Sequence, residues 1–352
     1  MTPTGRAAVW VLLGPHRGDN NQVLALAERL GLPFRTIRMD YKWFAHLPAV
    51  CRSVSISQLQ SEARRQIGPP WPSLVLGIGQ RSVPVARYIQ RESGGFTKVV
   101  RVGDPMVSHR LFDLVVTTTQ YAVHQADNVI RLPVTITKRD EVRPSAFEAR
   151  WLSAFPRPRR LLVIGGKTSM WQFDPEVVTA AIRKLQRRVA LEGGSIVAVT
   201  SPRTSPALVA AARETLGQAA VVTEQFPRYG ALLDDADEIH VTGDSVSMLS
   251  DAVASAKPVG LIPLEPTQTL RFVRWIGDLR GRRFRMRELD KFWNDLWIRG
   301  VVGTVDEPRW GVIDDSSLQT AIEAVRALAT SVPVLPPVDS SPSPAPARAV
   351  AL

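Results

Sequence analysis

The sequence predicts an α/β protein made of two Rossmann-like, doubly wound domains, and three observations carry that expectation. Short β-branched runs alternate with stretches of helical period along most of the chain. The alternation is interrupted once, near the middle, by a polar, proline-bearing stretch. The 352 residues exceed the ~100–200 of one ordinary domain. Strands interleaved with helices imply a mostly parallel sheet.

In chain order, residues 7–13 read as a first strand, and a helix follows over 22–30, where Val23, Leu26, Ala27 and Leu30 recur with helical spacing. The rhythm continues with a strand at 73–78, a helix at 82–90 and strands at 98–102, 114–118 and 129–133. Residues 1–140 therefore form the expected first domain and 141–160, with Pro144, Pro156 and Pro158, the linker. The second domain, 161–330, repeats the pattern. Its strands are expected at 161–164, 195–200, 220–222, 238–242 and 259–263, and its helices at 175–190, 206–216, 246–256 and 317–329. Six of the last 22 residues are proline, so the tail 331–352 is expected to be disordered.

Composition narrows the function classes. The excess of 44 Lys and Arg over 33 Asp and Glu gives +11, which favours phosphates, nucleic acid or anionic lipid as partners. One cysteine, Cys51, forms no intrachain disulfide, and with five scattered histidines offers no zinc-ligand spacing; a reduced, cytoplasmic setting and no bound metal are expected. No apolar run approaches the ~18 residues of a membrane span.

In open parallel sheets, ligands bind at the carboxyl ends of the strands, where helix N-termini present free N–H groups. Four loops occupy such places. Residues 14–22 pack Gly14, His16, Gly18, Asp19, Asn20 and Gln22 between the first strand and helix. A carboxylate or imidazole there suits a general base, with Asp19 ahead of His16; capping of the helix by Asp19 or Asn20 is the structural alternative. Gly77, Gly79, Gln80 and Arg81 begin like a dinucleotide fingerprint without its third glycine. Gly165, Gly166, Lys167, Thr168 and Ser169 follow a strand directly and suit a phosphate, though the Walker spacing is missing. Thr242, Gly243, Asp244, Ser245, Ser247 and Met248 open a helix whose dipole would face a diphosphate, with Ser201 and Arg203 projecting from a neighbouring strand. Helix capping is the alternative for each serine.

Other signals are weaker. Asp235-Ala236-Asp237 spells a metal-binding Asp-x-Asp but falls at a helix end, where a terminus role is expected, and His240 sits mid-strand as a core residue. The stretch 271–291 holds eight Lys or Arg against three acids, interleaved with Phe272, Trp275 and Phe284. Such a stretch fits an anionic membrane surface or a solvated face better than nucleic acid, and no nucleic-acid partner is expected.

Gly18 to Gln22 after a first strand, with the run from Thr242 to Ala252 and Lys257-Pro258-Val259 late in the chain, resembles the mitochondrial-fission-factor family of plants and its bacterial relatives, whose members are described as GT-B glycosyltransferases. The resemblance covers roughly residues 7–330 and implies a GT-B-like architecture of two domains facing across a cleft. It implies a nucleotide-sugar co-substrate on the second domain, UDP-linked by preference, and no tightly bound cofactor. Asp244 to Met248 would hold the donor diphosphate, Asp251 the ribose hydroxyls, and Tyr229 would lie near the base. The acceptor would sit on the first domain, beside Gly18, Asn20, Gln22, Gln80 and Arg81. The sequence departs from the family pattern at Asp251, where Glu is common, and across residues 101–125.

The function expected is sugar transfer to a lipid-linked or envelope acceptor, peripherally at the cytoplasmic membrane face. The alternatives are a non-catalytic adaptor on the same fold, as in organelle fission, and a nicotinamide-dependent sugar epimerase. The last is disfavoured because no tyrosine is followed four residues later by lysine.

Overall fold

The computed structural model describes residues 8–47, 53–104, 107–137, 143–166, 168, 170–223, 226–279 and 287–331. The chain builds two parallel sheets. The first has six strands: β1 (Val9–Leu13), β2 (Phe34–Arg38), β3 (Leu74–Ile78), β4 (Lys98–Val102), β5 (Leu114–Thr118) and β6 (Val129–Leu132), in the order β2-β1-β3-β4-β5-β6. The second has five: β7 (Arg159–Ile164), β9 (Ser195–Thr200), β10 (Val221–Val222), β11 (Glu238–Thr242) and β12 (Val259–Ile262), in the order β10-β9-β7-β11-β12. Between β7 and β9 a short β8 (Trp171–Gln172) pairs antiparallel with β13 (Glu265–Pro266). Parallel strands are covered on both faces. That is why β3 reads as a continuous apolar run and why β3 and β5 are buried throughout.

Helices α1 (Arg17–Leu30), α2 (Ser61–Arg65) and α3 (Ser82–Glu92) flank the first sheet; α4 (Ala146–Leu152) precedes the second. Around the second sheet lie α5 (Pro175–Glu192), α6 (Pro206–Leu216), α7 (Tyr229–Asp235), α8 (Val246–Ala254), α9 (Gln268–Leu279) and α10 (Leu289–Ile298). The last helix, α11 (Ser316–Thr330), does not stay with the second sheet. Its Ala321, Ile322, Val325 and Ala329 are buried in one cluster with Val9, Val11, Leu26 and Leu76, and Arg326 donates to the Leu30 carbonyl. The chain therefore returns to the first sheet, whereas the sequence places residues 317–329 with the second domain.

Three further elements depart from the sequence reading. Helix α1 starts at Arg17 rather than 22, because Asn20 N–H donates to the His16 carbonyl and the Asn20 side chain clamps both Gly14 N and Gly14 O at 2.9 Å. Polar residues that read as loop thus form its first turns. Strand β2 was not expected, since its polar pattern buries only Ile37, as suits a sheet edge. Helix α4 lies within the stretch read as linker, started by a capping box between Ser145 and Glu148. Residues 138–142, 280–286 and the tail 332–352 lie outside the described residues, as does Cys51.

Ion pairs join elements distant in sequence. Asp235 and Asp237 of the Asp-x-Asp bind Arg157 and Arg159, at 2.7 Å for the Asp235–Arg159 pair. The motif is occupied in holding the start of β7, not in metal binding. His240 is fully buried against Glu238, a core residue as expected.

Candidate functional site

The carboxyl ends of β3, β4, β5 and β6 open onto a cavity of about 340 Å³, closed on its far side by the first turn of α8 and by Arg287. Asp19 enters it from the first turn of α1. Its carboxylate lies 3.8 Å from where a side chain at Gly79 would begin, and Gly79 adopts φ +74°. Glycine at this turn meets both the conformation and the space that Asp19 requires. Gln22 and Gln80 also line the cavity.

Arg101 is the least expected wall residue. It occupies an apolar strand yet is 2% exposed, and burial lowers its guanidinium to about 10, with Asp104 next in influence and opposing. Its donors are spent on Gly79 O at 3.0 Å, Ser82 Oγ at 2.7 Å and Asp104 O at 2.8 Å. It ties together the turns after β3 and β4. Tyr121 stands nearby, its phenol raised by burial against the opposing Arg287, with Asp19 and Asp104 adding to the rise; it is a neutral donor near pH 7. Thr117 and Thr135 also line the cavity, both buried, and their hydroxyls have no hydrogen-bond partner among the described residues. Unsatisfied buried hydroxyls are costly, and these two lie in the cavity wall.

The two halves meet at this point. Ser247 in α8 lines the cavity, and its Oγ lies 3.6 Å from where a side chain at Gly18 would begin. The N-termini of α1 and α8 therefore converge, and two helix dipoles point positive ends into one space. Ser250 Oγ accepts from Thr135 N at 3.1 Å, and Arg287 Nε donates to Gln120 Oε1 at 3.0 Å, fastening the same seam.

On the second sheet, the glycine loop after β7 is held from β11. Gly165 N donates to Thr242 Oγ1 and Gly166 N to Asp244 Oδ2, each at 2.8 Å, while Thr242 Oγ1 donates to Asp244 Oδ1 at 2.7 Å. A side chain at Gly165 would overlap the Asp244 carboxylate, and one at Gly166 the backbone of Arg203. Asp244 is buried and its carboxyl is raised by burial. These contacts engage both Asp244 carboxylate oxygens in holding the loop.

Tyr229 and Asp251 form a half-buried pair in the second half of the chain. Tyr229 opens α7, and its hydroxyl has no hydrogen-bond partner among the described residues. Burial raises it well above its ordinary value, and the nearby Asp251 adds to the rise. Burial raises the Asp251 carboxyl to about 7. The start of α7 is fixed by Arg228, which donates from its backbone and guanidinium to buried Glu148 at 2.8, 2.9 and 2.6 Å; those hydrogen bonds hold Glu148 well below the ordinary carboxylate range.

Several sequence-derived candidates are engaged elsewhere. His16 is exposed and outside the cavity lining, whose carboxylates are Asp19 and Asp104. Asn20 is occupied with Gly14. Arg81 lies over the Tyr41 ring at 5.5 Å. Ser245 caps α8 by accepting from Met248 N, and Ser201 bonds Thr204 and Arg203 N within its own turn. Met248 packs against the second core. Lys167 and Ser169 lie outside the described residues. Conversely, Arg101, Gln120, Tyr121 and Arg287 were not singled out from sequence. A charged residue inside the apolar strand 98–102 was the one available signal, for Arg101.

A family model described as mitochondrial fission ELM1 matches residues 17–297. The chain belongs to the mitochondrial fission ELM1 family. This ELM1-family chain is also 19% identical over 295 residues to the uncharacterized protein RP120 of Rickettsia prowazekii, covering 71% of this chain and 82% of that protein. Among solved structures, a Listeria monocytogenes protein assigned as a UDP-N-acetylglucosamine 2-epimerase superimposes with a TM-score of 0.52 at 11% identity, over 94% of this chain and 98% of that one. A Staphylococcus aureus MnaA structure with UDP gives 0.48 at 10% identity over 91% and 96%. The ELM1-family chain has the GT-B-type fold, two Rossmann-like domains facing across a cleft. Among its described residues no helix is long and apolar enough to cross a membrane, and no cluster of three or more His, Cys, Asp or Glu could hold a metal.

Proposed function

We propose that this ELM1-family protein transfers a sugar from a nucleotide sugar, UDP-linked by preference, to a hydroxyl-bearing acceptor seated in the cavity. The observation that carries the reading is the meeting of Asp19 with the N-terminus of α8 across one polar cavity. A base on one side of the cleft and an anion-stabilising helix end on the other are the two elements that displacement at an anomeric carbon requires.

In that step the acceptor oxygen bonds to the anomeric carbon and gives its proton to Asp19. The bond from that carbon to the diphosphate breaks, and its electron pair leaves on the diphosphate. The N–H groups opening α8 would stabilise the departing charge. Asp251 and Tyr229, a half-buried pair whose Tyr229 hydroxyl has no hydrogen-bond partner among the described residues, fit a ribose and its base. Gln22, Gln80 and the free hydroxyls of Thr117 and Thr135 would orient the acceptor. A single displacement, with the acceptor attacking opposite the leaving diphosphate, inverts the anomeric carbon. A lipid-linked or envelope acceptor at the cytoplasmic membrane face completes the reading.

A melting-temperature and calorimetric screen against UDP, GDP, CMP, NAD and their sugar conjugates tests it, since a ligand of the native state raises its stability by mass action. Binding of one nucleotide diphosphate, lost in Asp251→Ala, supports the donor site. Silence toward every nucleotide from folded protein overturns the reading in favour of a non-catalytic adaptor. Isomerisation of a nucleotide sugar without acceptor would replace transfer by epimerisation, the activity assigned to the Listeria protein.

A further inference from the structure

Helix α10 joins two places that the sequence keeps apart. Its start is capped from the other half of the chain. Glu288 makes no side-chain cap hydrogen bond; instead its backbone N–H, one of the four that a helix start leaves unpaired, donates to the Gln120 carbonyl at 2.8 Å. The Gln120 side chain donates from Nε2 to Thr118 Oγ1 and accepts at Oε1 from Arg287 Nε, each at 3.0 Å. Gln120 is buried and lines the cavity just past β5. Its carbonyl and both side-chain polar atoms are thus engaged, and two of the three bonds cross to the start of α10.

About one and a half turns further on, the same helix holds the loop that opens α8. Trp293 is buried, and its Nε1 donates to the Gly243 carbonyl at 3.0 Å. A side chain at Gly243 would begin 2.5 Å from the Trp293 ring, so the close approach requires glycine. Gly243 leads from β11 through the Ser245 cap into the first turn of α8. Leu289, Phe292, Trp293 and Leu296 are buried in the core cluster that also holds Val246 and Leu249 of α8, and the Trp293 ring packs on Trp171 at 4.9 Å. A helix packed this closely transmits displacement rather than absorbing it. The direct tie of α8 to the first half, Ser250 Oγ to Thr135 N, lies a turn further along; the loop ahead of α8 is held by Trp293.

We infer that α10 is a strut by which the acceptor wall of the cavity sets the aim of the α8 N-terminus, and that Trp293 is a positioning residue for that end, acting through the Gly243 carbonyl. Trp293 lies outside the cavity lining. Its N–H keeps a buried carbonyl paired and so fixes the turn that delivers the first N–H groups of α8 to the cleft. A displacement of about 1 Å at such a turn is enough to slow a reaction that depends on it. The strut deepens the proposed function and rests on it only for what the α8 end faces; the hold itself is tested on the protein without ligand.

The test is amide hydrogen exchange of the full chain, read at residues 243–249. Arg287→Met, at an exposed position, removes the clasp on Gln120, and Trp293→Phe keeps an aromatic ring while removing the N–H. Each should speed exchange at 243–249 roughly tenfold, the scale of one lost hydrogen bond, with β9 and β10 unchanged, and Arg287→Lys should keep most of the protection. Acceleration in Arg287→Met confined to residues 118–121 and 287–290, or no change at 243–249 in either variant, overturns the strut. If Trp293→Phe fails to fold, the surface variant Arg287→Met decides alone. UDP gives a second readout: its calorimetric affinity should fall about tenfold in Trp293→Phe, and equal affinity for variant and wild type overturns the positioning role. Silence of the wild type toward UDP and every other nucleotide, with the exchange pattern intact, overturns the sugar-transfer reading and leaves the strut standing.

Discussion

Replacing Asp251 by asparagine tests the donor side of the cleft by pH alone. Burial raises this carboxyl from its ordinary 3.8 to about 7, and no donor among the described residues reaches it. At 1.36 kcal/mol per pH unit, that difference is about 4 kcal/mol. The native state holds the proton more tightly than the unfolded chain, so unfolding stability falls as pH rises. The penalty is absent below 3.8, grows between 3.8 and about 7, and is complete above that range. Asp251→Asn keeps the shape and removes the charge. It should stabilise the protein by about 1–2 kcal/mol near pH 5 and by about 4 kcal/mol near pH 8, read by urea unfolding at each pH. Nucleotide binding should run the opposite way. Ribose hydroxyls donate best to the ionised carboxylate, so affinity should rise with pH and level off near 7, and Asp251→Asn should bind weakly at every pH. A stability gain independent of pH, or a loss, would refute the argument that a half-buried carboxyl without a donor waits there for a ligand.

Other expectations follow from the same geometry. Asp19→Asn should lower transfer by about 10²–10⁴ while leaving nucleotide affinity by calorimetry unchanged; parallel loss of both would end its assignment as base. Gly165→Ala should destabilise by about 1–3 kcal/mol, because its new methyl overlaps the Asp244 carboxylate that holds the loop, and urea unfolding would show it. Burial alone would raise Glu238, but hydrogen bonds from His240 and Arg188 outweigh it and bring the carboxyl from 4.5 down to about 2. Its contribution, about 3 kcal/mol by the same conversion, is present above 4.5 and lost as pH falls toward 2. Glu238→Gln should therefore be less stable near neutral pH, with the gap closing in acid.

Local pattern made most of the fold legible. The apolar runs of β1 and β3 and the end of β7 are buried, so composition alone marks them as strands. What pattern could not mark was decided by contacts across the chain. β2 exposes most of its residues and exists because its backbone pairs with β1. α11 resembles any amphipathic helix, and only the apolar groove left beside β1, β3 and α1 fixes that it crosses back.

The site divides along the same line. Local pattern shows which loops end at strand carboxyl termini, and Asp19, Gly79 and Ser247 from those loops line one cavity. Hydroxyl, glycine and carboxylate types are set by local chain geometry, which short segments encode. Tertiary structure decided which of these face the cavity and which are consumed in holding it. Asp244 and Asn20 read in sequence as ligand residues, yet their donors and acceptors are taken by Gly166 and Gly14. Arg101 and Tyr121 meet beside the first sheet, and Arg287 joins them from the second half of the chain, 166 or more residues away in sequence. The charge and burial of such a group depend on neighbours tens to hundreds of residues away, and no local pattern carries that information.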